Sequence, residues 1–181
     1  MTTRARWRAA WSGCVLLASV VGLLAAQEEE AGIPVGATPP AVTLEDLNGK
    51  PVELERFIGR EPALIEFWAT WCPRCRALEP RMTAAHARYG QRVRFIAVAV
   101  AVNETRASVR RRLVQHPMPY PYLWDANGSA VRAFQAPTTS YVVVLDAAGK
   151  VSYTGVGESQ DLEAAVARAV TSDRGLSRDP P

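Results

Sequence analysis

Several spacings of hydrophobic residue follow one another along the chain. Val42-Thr43-Leu44 and Val52-Glu53-Leu54 alternate apolar and polar around Asp46-Leu47-Asn48-Gly49-Lys50, which predicts a hairpin closed by an Asn-Gly turn. Glu55 to Ile58 reads as a short helical turn. Ala63 to Trp68 is an apolar, β-prone stretch interrupted only by Glu66, and predicts a strand. From there the apolar positions spread to helical spacing, through Ala77, Leu78, Met82, Ala85 and Tyr89. The helix expected over Cys72 to Tyr89 contains Pro80, which should kink it. Val93 to Val102 is a nearly unbroken, valine-rich run, as in a central strand buried on both faces. A helix follows over Thr105 to Gln115, with Val109, Leu113 and Val114 on its inner side. Pro117, Pro119 and Pro121 mark a loop, and Tyr120, Tyr122, Leu123 and Trp124 a short strand. A short helix is expected over Ser129 to Phe134. Tyr141 to Leu145, the turn Asp146 to Gly149 and Lys150 to Thr154 predict a second hairpin. Ser159 is placed to cap a last amphipathic helix, Asp161 to Val170. The Gly- and Pro-rich segment 27–40 reads as an extended lead-in, and the polar tail 171–181 as disordered.

Composition narrows this to one α/β domain over residues 41–170. The chain has 181 residues, 48% of them hydrophobic, enough for a single core. The net charge of +3 sits largely at the two ends and in Arg110-Arg111-Arg112. Without a basic and aromatic face this predicts a solvated helix surface and no nucleic-acid partner. Arg4, Arg6 and Arg8 precede an uncharged apolar run from Ser12 to Ala26, and Glu28-Glu29-Glu30 follows it. Residues 1–26 therefore read either as a signal peptide cleaved after Ala26 or as an uncleaved anchor using residues 11–26. The uncharged run is short of the roughly 20 residues that span a bilayer, which favours cleavage. Cys14 falls inside this segment. Once it is removed only Cys72 and Cys75 remain, too few for a disulfide-stapled secreted domain.

The candidate chemistry sits where the first central strand meets the long helix, at Trp71-Cys72-Pro73-Arg74-Cys75. A cysteine at a helix N-terminus faces unpaired N–H groups and the positive end of the dipole, which stabilise the reactive thiolate. A second thiol one turn away makes a dithiol that can cycle between reduced and oxidised. Zinc would need further Cys or paired His ligands, whereas His86 and His116 stand apart. Haem attachment would need His where Arg76 stands. A purely structural bridge between residues this close removes little chain entropy. No metal and no cofactor are called for. Glu66 is the other candidate: an acid in a strand apolar on both sides is costly to bury without a task. The bland alternative is a strand-edge side chain that reaches solvent. Glu79, His86 and His116 read as surface or satisfied residues.

The order of strand, Trp-Cys-x-x-Cys, helix, strand, helix, hairpin and helix is that of the thioredoxin fold. The sequence resembles the exported TlpA-like branch of that superfamily, which includes the ResA and CcmG types. The likeness covers roughly residues 33–170. It is carried by residues 47–52, by the run from Phe67 to Cys75, by Val102-Asn103-Glu104 and by residues 144–150. It implies a thioredoxin-like three-layer fold with a central mixed sheet and an N-terminal hairpin extension. It also implies a periplasmic or membrane-facing thiol–disulfide oxidoreductase acting on protein thiols and disulfides, with a membrane electron donor and a role such as cytochrome c maturation.

On this resemblance Cys72 is the exposed, attacking thiol and Cys75 the resolving one. Pro73 stiffens the turn. Arg74 either lowers the Cys72 pKa or is merely solvated. Glu66 matches the acid that assists deprotonation of the second cysteine in cytoplasmic thioredoxins. Trp71 flanks the partner surface. The family's cis-proline falls by count on Ser140, so either Pro137 serves in a rebuilt loop or Thr139-Ser140 does so without a cis bond. A thiol peroxidase would need a different setting around Cys72. A copper-binding thioredoxin-fold module is the non-enzymatic alternative.

Overall fold

A computed structural model describes residues 32–176. The targeting segment expected over residues 1–26, with Cys14, lies outside the described residues. In chain order the described elements are β1 (Thr43–Glu45), β2 (Pro51–Glu53), α1 (Leu54–Ile58), β3 (Ala63–Trp68), α2 (Pro73–Tyr89) and β4 (Arg94–Val100). They continue with α3 (Arg106–Gln115), β5 (Tyr122–Asp125), α4 (Ser129–Ala133), β6 (Tyr141–Leu145), β7 (Val151–Val156) and α5 (Leu162–Leu176). The strands form one sheet in the order β2-β1-β5-β4-β3-β6-β7. β3, β4 and β5 run parallel, joined by crossovers through α2 and α3. β6 and β7 add antiparallel on one side and the β1–β2 hairpin on the other. The sheet is mixed, as expected.

Alternation along the strands divides the core in two. Leu64, Trp68, Ala97 and Val142 face one layer, where α2, α5 and Val109 of α3 cover them. Ile65, Phe67, Val98 and Val143 face the other, covered by α1, α4 and the lead-in. The lead-in is docked rather than loose. Ile33 is buried, and its N–H is shared between the Phe134 carbonyl at 3.2 Å and the Tyr141 hydroxyl at 3.0 Å. Gly36 donates to the Val151 carbonyl at 2.7 Å, and Val151 returns a bond to Ala37 at 2.8 Å. Gly32 has φ +116°, and a Cβ there would lie 2.1 Å from the Tyr141 hydroxyl, so only glycine fits this approach.

Asp125 closes β5 as a buried carboxylate. It accepts from the Val131 N–H at 3.0 Å and from the Ser129 hydroxyl at 3.3 Å, tying α4 to the sheet. Asp125→Ala leaves those donors unpaired and should cost about 1–3 kcal/mol. A fall of several degrees in the thermal midpoint would show it; an unchanged midpoint would rule out this anchoring role.

Several boundaries differ from the sequence expectation. β4 ends at Val100, and Val102 is exposed in a loop where Asn103 takes φ 52°. On α3, Val109 is buried and Leu113 packs at the core edge, but Val114 is 83% exposed. The first two are four residues apart and share a face, whereas Val114 is rotated about 100° from Leu113. Asp161, not Ser159, caps α5, because its carboxylate reaches the Ala164 N–H at 3.0 Å. α5 also continues to Leu176, past the expected start of a disordered tail at Thr171. No proline interrupts residues 171–176, and the Thr171 hydroxyl bonds back to the Ala167 carbonyl in helical fashion. α2 passes through Pro80 as one helix.

Candidate active site

β3 delivers the chain to the N-terminus of α2. Cys72 is the N-cap, in extended conformation, with Pro73 at the first helical position, where its missing N–H costs nothing. The Cys75 N–H points at the Cys72 sulfur at 3.0 Å, a donor poised to stabilise a thiolate. The structure holds the oxidised form: Cys72 and Cys75 are joined, with Cα atoms 5.3 Å apart. Cys75 is fully buried, and Cys72, expected to be exposed, is only 3% exposed in the oxidised form. Arg74 is well exposed and lies 3.9 Å from the equally accessible Glu158, a solvated pair of small energetic weight.

A second loop braces this turn. The Glu104 carboxylate accepts from the Thr70 N–H at 2.6 Å, and also from Ser108 and Thr105. Burial opposes ionisation of Glu104, but these hydrogen bonds outweigh it and hold its pKa low. The Trp71 indole N–H donates to the Val102 carbonyl at 2.8 Å and leaves the ring 45% exposed beside the dithiol. Arg76 donates to the Thr70 carbonyl at 3.1 Å. Neither Glu104 nor Val102 was singled out by chemistry in the sequence. The only signal was that Val102-Asn103-Glu104 sits at the end of the central strand, the expected position for a loop beside the site.

On the opposite side, no cis peptide occurs among the described residues. Ser140 stands at the head of β6, where Tyr141 pairs with Phe67. It is buried at φ 59°, and its N–H donates to the Phe67 carbonyl at 2.8 Å. Its own carbonyl accepts from Gly157 and from the Gln160 side chain, both at 3.1 Å. Proline could supply neither that N–H nor that φ. Pro137 is exposed three residues earlier, and Thr139 is half-buried. The non-glycine αL backbone here carries strain of about 1 kcal/mol or more, held by three hydrogen bonds.

Glu66 lies on the same face of the sheet as Trp68 and Cys75, not at an edge. It is 1% exposed, and one carboxyl oxygen has no hydrogen-bond partner. Burial, with a smaller contribution from Glu79, pushes its pKa up to about 8, so it holds its proton at neutral pH. Glu79, expected at the surface, is half-buried and accepts from Arg112 of α3 at 2.6 Å. It lies four residues after Cys75, on the same helical stripe, which turns it inward. Arg112 is accordingly not part of a solvated face. His86 is also half-buried, edge-on to Phe95 with ring centres 5.2 Å apart. Among the described residues, no three His, Cys, Asp or Glu side chains are grouped to hold a metal ion.

The Redoxin family profile matches residues 34–171. Thiol-disulfide oxidoreductase ResA of Bacillus cereus is 26% identical over 147 residues, covering 80% of this chain and 84% of that one. Thioredoxin-like protein YneN of Bacillus subtilis is 28% identical over 156 residues, covering 81% and 89%. The crystal structure of a thiol:disulfide interchange protein of the thioredoxin family from Chlorobium tepidum superposes with a TM-score of 0.62. It is 25% identical and covers 76% of this chain and 99% of that one. With a match across the whole sheet and a paired Cys72–Cys75 at the head of α2, the chain belongs to the Redoxin family, as a thioredoxin-fold thiol–disulfide oxidoreductase.

Proposed function

We propose that the chain reduces disulfides of partner proteins in the cell envelope and is recharged by a membrane-bound dithiol donor. The observation that carries this reading is the Cys72–Cys75 disulfide held at a helix N-terminus on the same face as the buried Glu66.

In the forward direction the Cys72 thiolate attacks a partner disulfide, and one partner sulfur leaves as a thiolate. In the reduced chain Glu66 is the carboxylate left by the recharging step, and the Cys75 thiol passes its proton back to it. The resulting Cys75 thiolate attacks the Cys72 sulfur of the mixed disulfide and expels the second partner thiolate. Two electrons pass to the partner and the Cys72–Cys75 bond forms. In recharging, one donor thiolate attacks Cys72, Cys75 leaves as a thiolate, and neutral Glu66 returns the proton to it; the donor's second thiolate then attacks its own first sulfur, forms the donor disulfide and releases Cys72 as a thiolate. Trp71 and Pro73 line the approach to Cys72, with Arg74 at the rim. Thr139 and Ser140 present the opposite wall. Ser140 takes the place of the family's proline, and Pro137 stands outside the site.

The basic and apolar N-terminal segment supports a site of action outside the cytoplasm, with the domain either released after Ala26 or anchored through residues 11–26. Thiols of apocytochromes, as in cytochrome c maturation, or of metallochaperones fit as substrates. The test is reduction of insulin disulfides by the full chain with dithiothreitol as donor. Catalysis should be present and be lost in Cys72→Ser; a Cys72→Ser protein with full activity would overturn the reading. A reduction potential near about −270 mV marks a reductant, whereas one near about −120 mV would make the chain an oxidant instead.

A further inference from the structure

A packed row of side chains runs across the sheet from Glu66. Across β3, β4 and β5 the register aligns Glu66 with Ala97 and Ala97 with Tyr122. Side chains in one such row point to the same face, so only the methyl group of Ala97 stands between the carboxyl and the tyrosine. Tyr122 stacks on Tyr120, with ring centres 6.0 Å apart, and meets Trp68 edge-on at 5.2 Å. The roof over this row is α2, whose inward stripe carries Cys75, Leu78 and Met82, with the partly buried Glu79 at its edge one turn after Cys75. Glu79 is tied to Arg112 of α3, and the two side chains are only 21% and 14% exposed.

Few other titratable or charged groups face Glu66. β4 and β6 place Ala97 and Val142 beside it, and α5 adds only apolar residues to this core. Cys75 and Glu79 come from α2, Arg112 from α3, Tyr122 from β5, and Tyr120 from the loop before it. His86 lies beyond Tyr120, with ring centres 5.7 Å apart.

We propose that the Glu79–Arg112 ion pair is a positioning device for the redox reaction: from the edge of the α2 roof over this row, it controls the charge state of Glu66. This rests on the reading that Glu66 exchanges a proton with Cys75. Burial does most to hold the carboxyl neutral; Glu79 adds like-charge repulsion, which its pairing with Arg112 offsets. Because the pair lies at the α2–α3 boundary, contacts there reach the dithiol through Glu66 without touching either sulfur.

The test follows the Glu66 carboxyl by carbon-13 NMR against pH in the oxidised full chain, for wild type, Glu79→Gln, Arg112→Gln and the double variant. Glu79→Gln should lower the Glu66 midpoint and Arg112→Gln should raise it, each by about half a unit or more. The double variant should return close to wild type. Midpoints that stay fixed, or move in the same direction in both single variants, would overturn the proposal. Unfolding cannot imitate the expected pattern, since it would bring Glu66 to the ordinary carboxylate range in either variant. The pH profile of Cys72–Cys75 reduction by dithiothreitol is measured in parallel. If the midpoints move oppositely while that profile stays put, the charge control is real and the proton role of Glu66 falls. If the profile follows the midpoints, both stand.

Discussion

Cys75→Ser should stop turnover while leaving the first chemical step intact. Cys72 keeps its place as N-cap, and the backbone N–H of residue 75 still faces its sulfur, because that donor belongs to the main chain. The thiolate can therefore attack a partner disulfide, but no second sulfur is one turn away to release it. A covalent adduct between the chain and its partner should accumulate to stoichiometry and survive until thiol is added. Intact-mass measurement or a non-reducing gel would detect it. Cys72→Ser should form no such adduct, since Cys75 is fully buried. An adduct of equal yield in Cys72→Ser would reverse the two roles and dismantle the mechanism.

Glu66→Gln should change both rate and stability, with opposite consequences. Reduction of the Cys72–Cys75 bond by dithiothreitol should slow roughly 100-fold at pH 7, because the departing Cys75 sulfur loses its proton source. The deficit should shrink above pH 8, where wild-type Glu66 itself gives up its proton. The stability effect follows from the direction of the shift. An ordinary glutamate titrates near 4.5, but folded Glu66 holds its proton up to about 8. Below pH 4.5 the folded and unfolded chains are both neutral at this position. Between 4.5 and 8 the unfolded chain ionises while the fold resists, so wild-type stability falls, by about 5 kcal/mol in all. Above 8 the loss is complete and levels off. The amide does not titrate, so urea unfolding of the oxidised Gln variant should lack this decline and show a relative gain in alkaline buffer. Parallel pH–stability curves would mean that Glu66 titrates normally, and the proton role would fall with that result.

The site residues were unevenly legible, and the difference is one of range. Cys72, Cys75 and Glu66 declare themselves locally: a thiol pair at a strand-to-helix junction, and an acid inside an apolar strand. The strands were readable too, since β3 and β4 are buried on both faces and leave continuous apolar runs. What could not be read depends on contacts between distant segments. Glu104 holds Thr70 across 34 residues of chain, and Arg112 holds Glu79 across 33. An arginine in a run of three looks solvated until the helix opposite is known. Ser140 was half legible: counting from the Gly149 turn placed it at the head of β6, but only the structure shows the backbone bond to Phe67 that excludes proline there. The end of β4 was misread because Val102 extends an apolar run while serving as exposed wall rather than core.

The docking of the lead-in sets a limit on reach. Ile33 is bonded to Tyr141, the first residue of the strand that begins beside Ser140, so the point where the chain enters the fold and the rim of the redox centre share one strand. Only five residues, 27–31, lie between Ala26 and Gly32, which are therefore six peptide steps apart. Fully extended, they span about 20 Å. An anchor ending at Ala26 would therefore hold the sulfurs on a short leash, within a narrow shell above the bilayer surface. Partners would have to present their cysteines inside that shell, and a freely diffusing protein whose disulfide lay deep in a bulky domain would be screened out by geometry before any chemistry began.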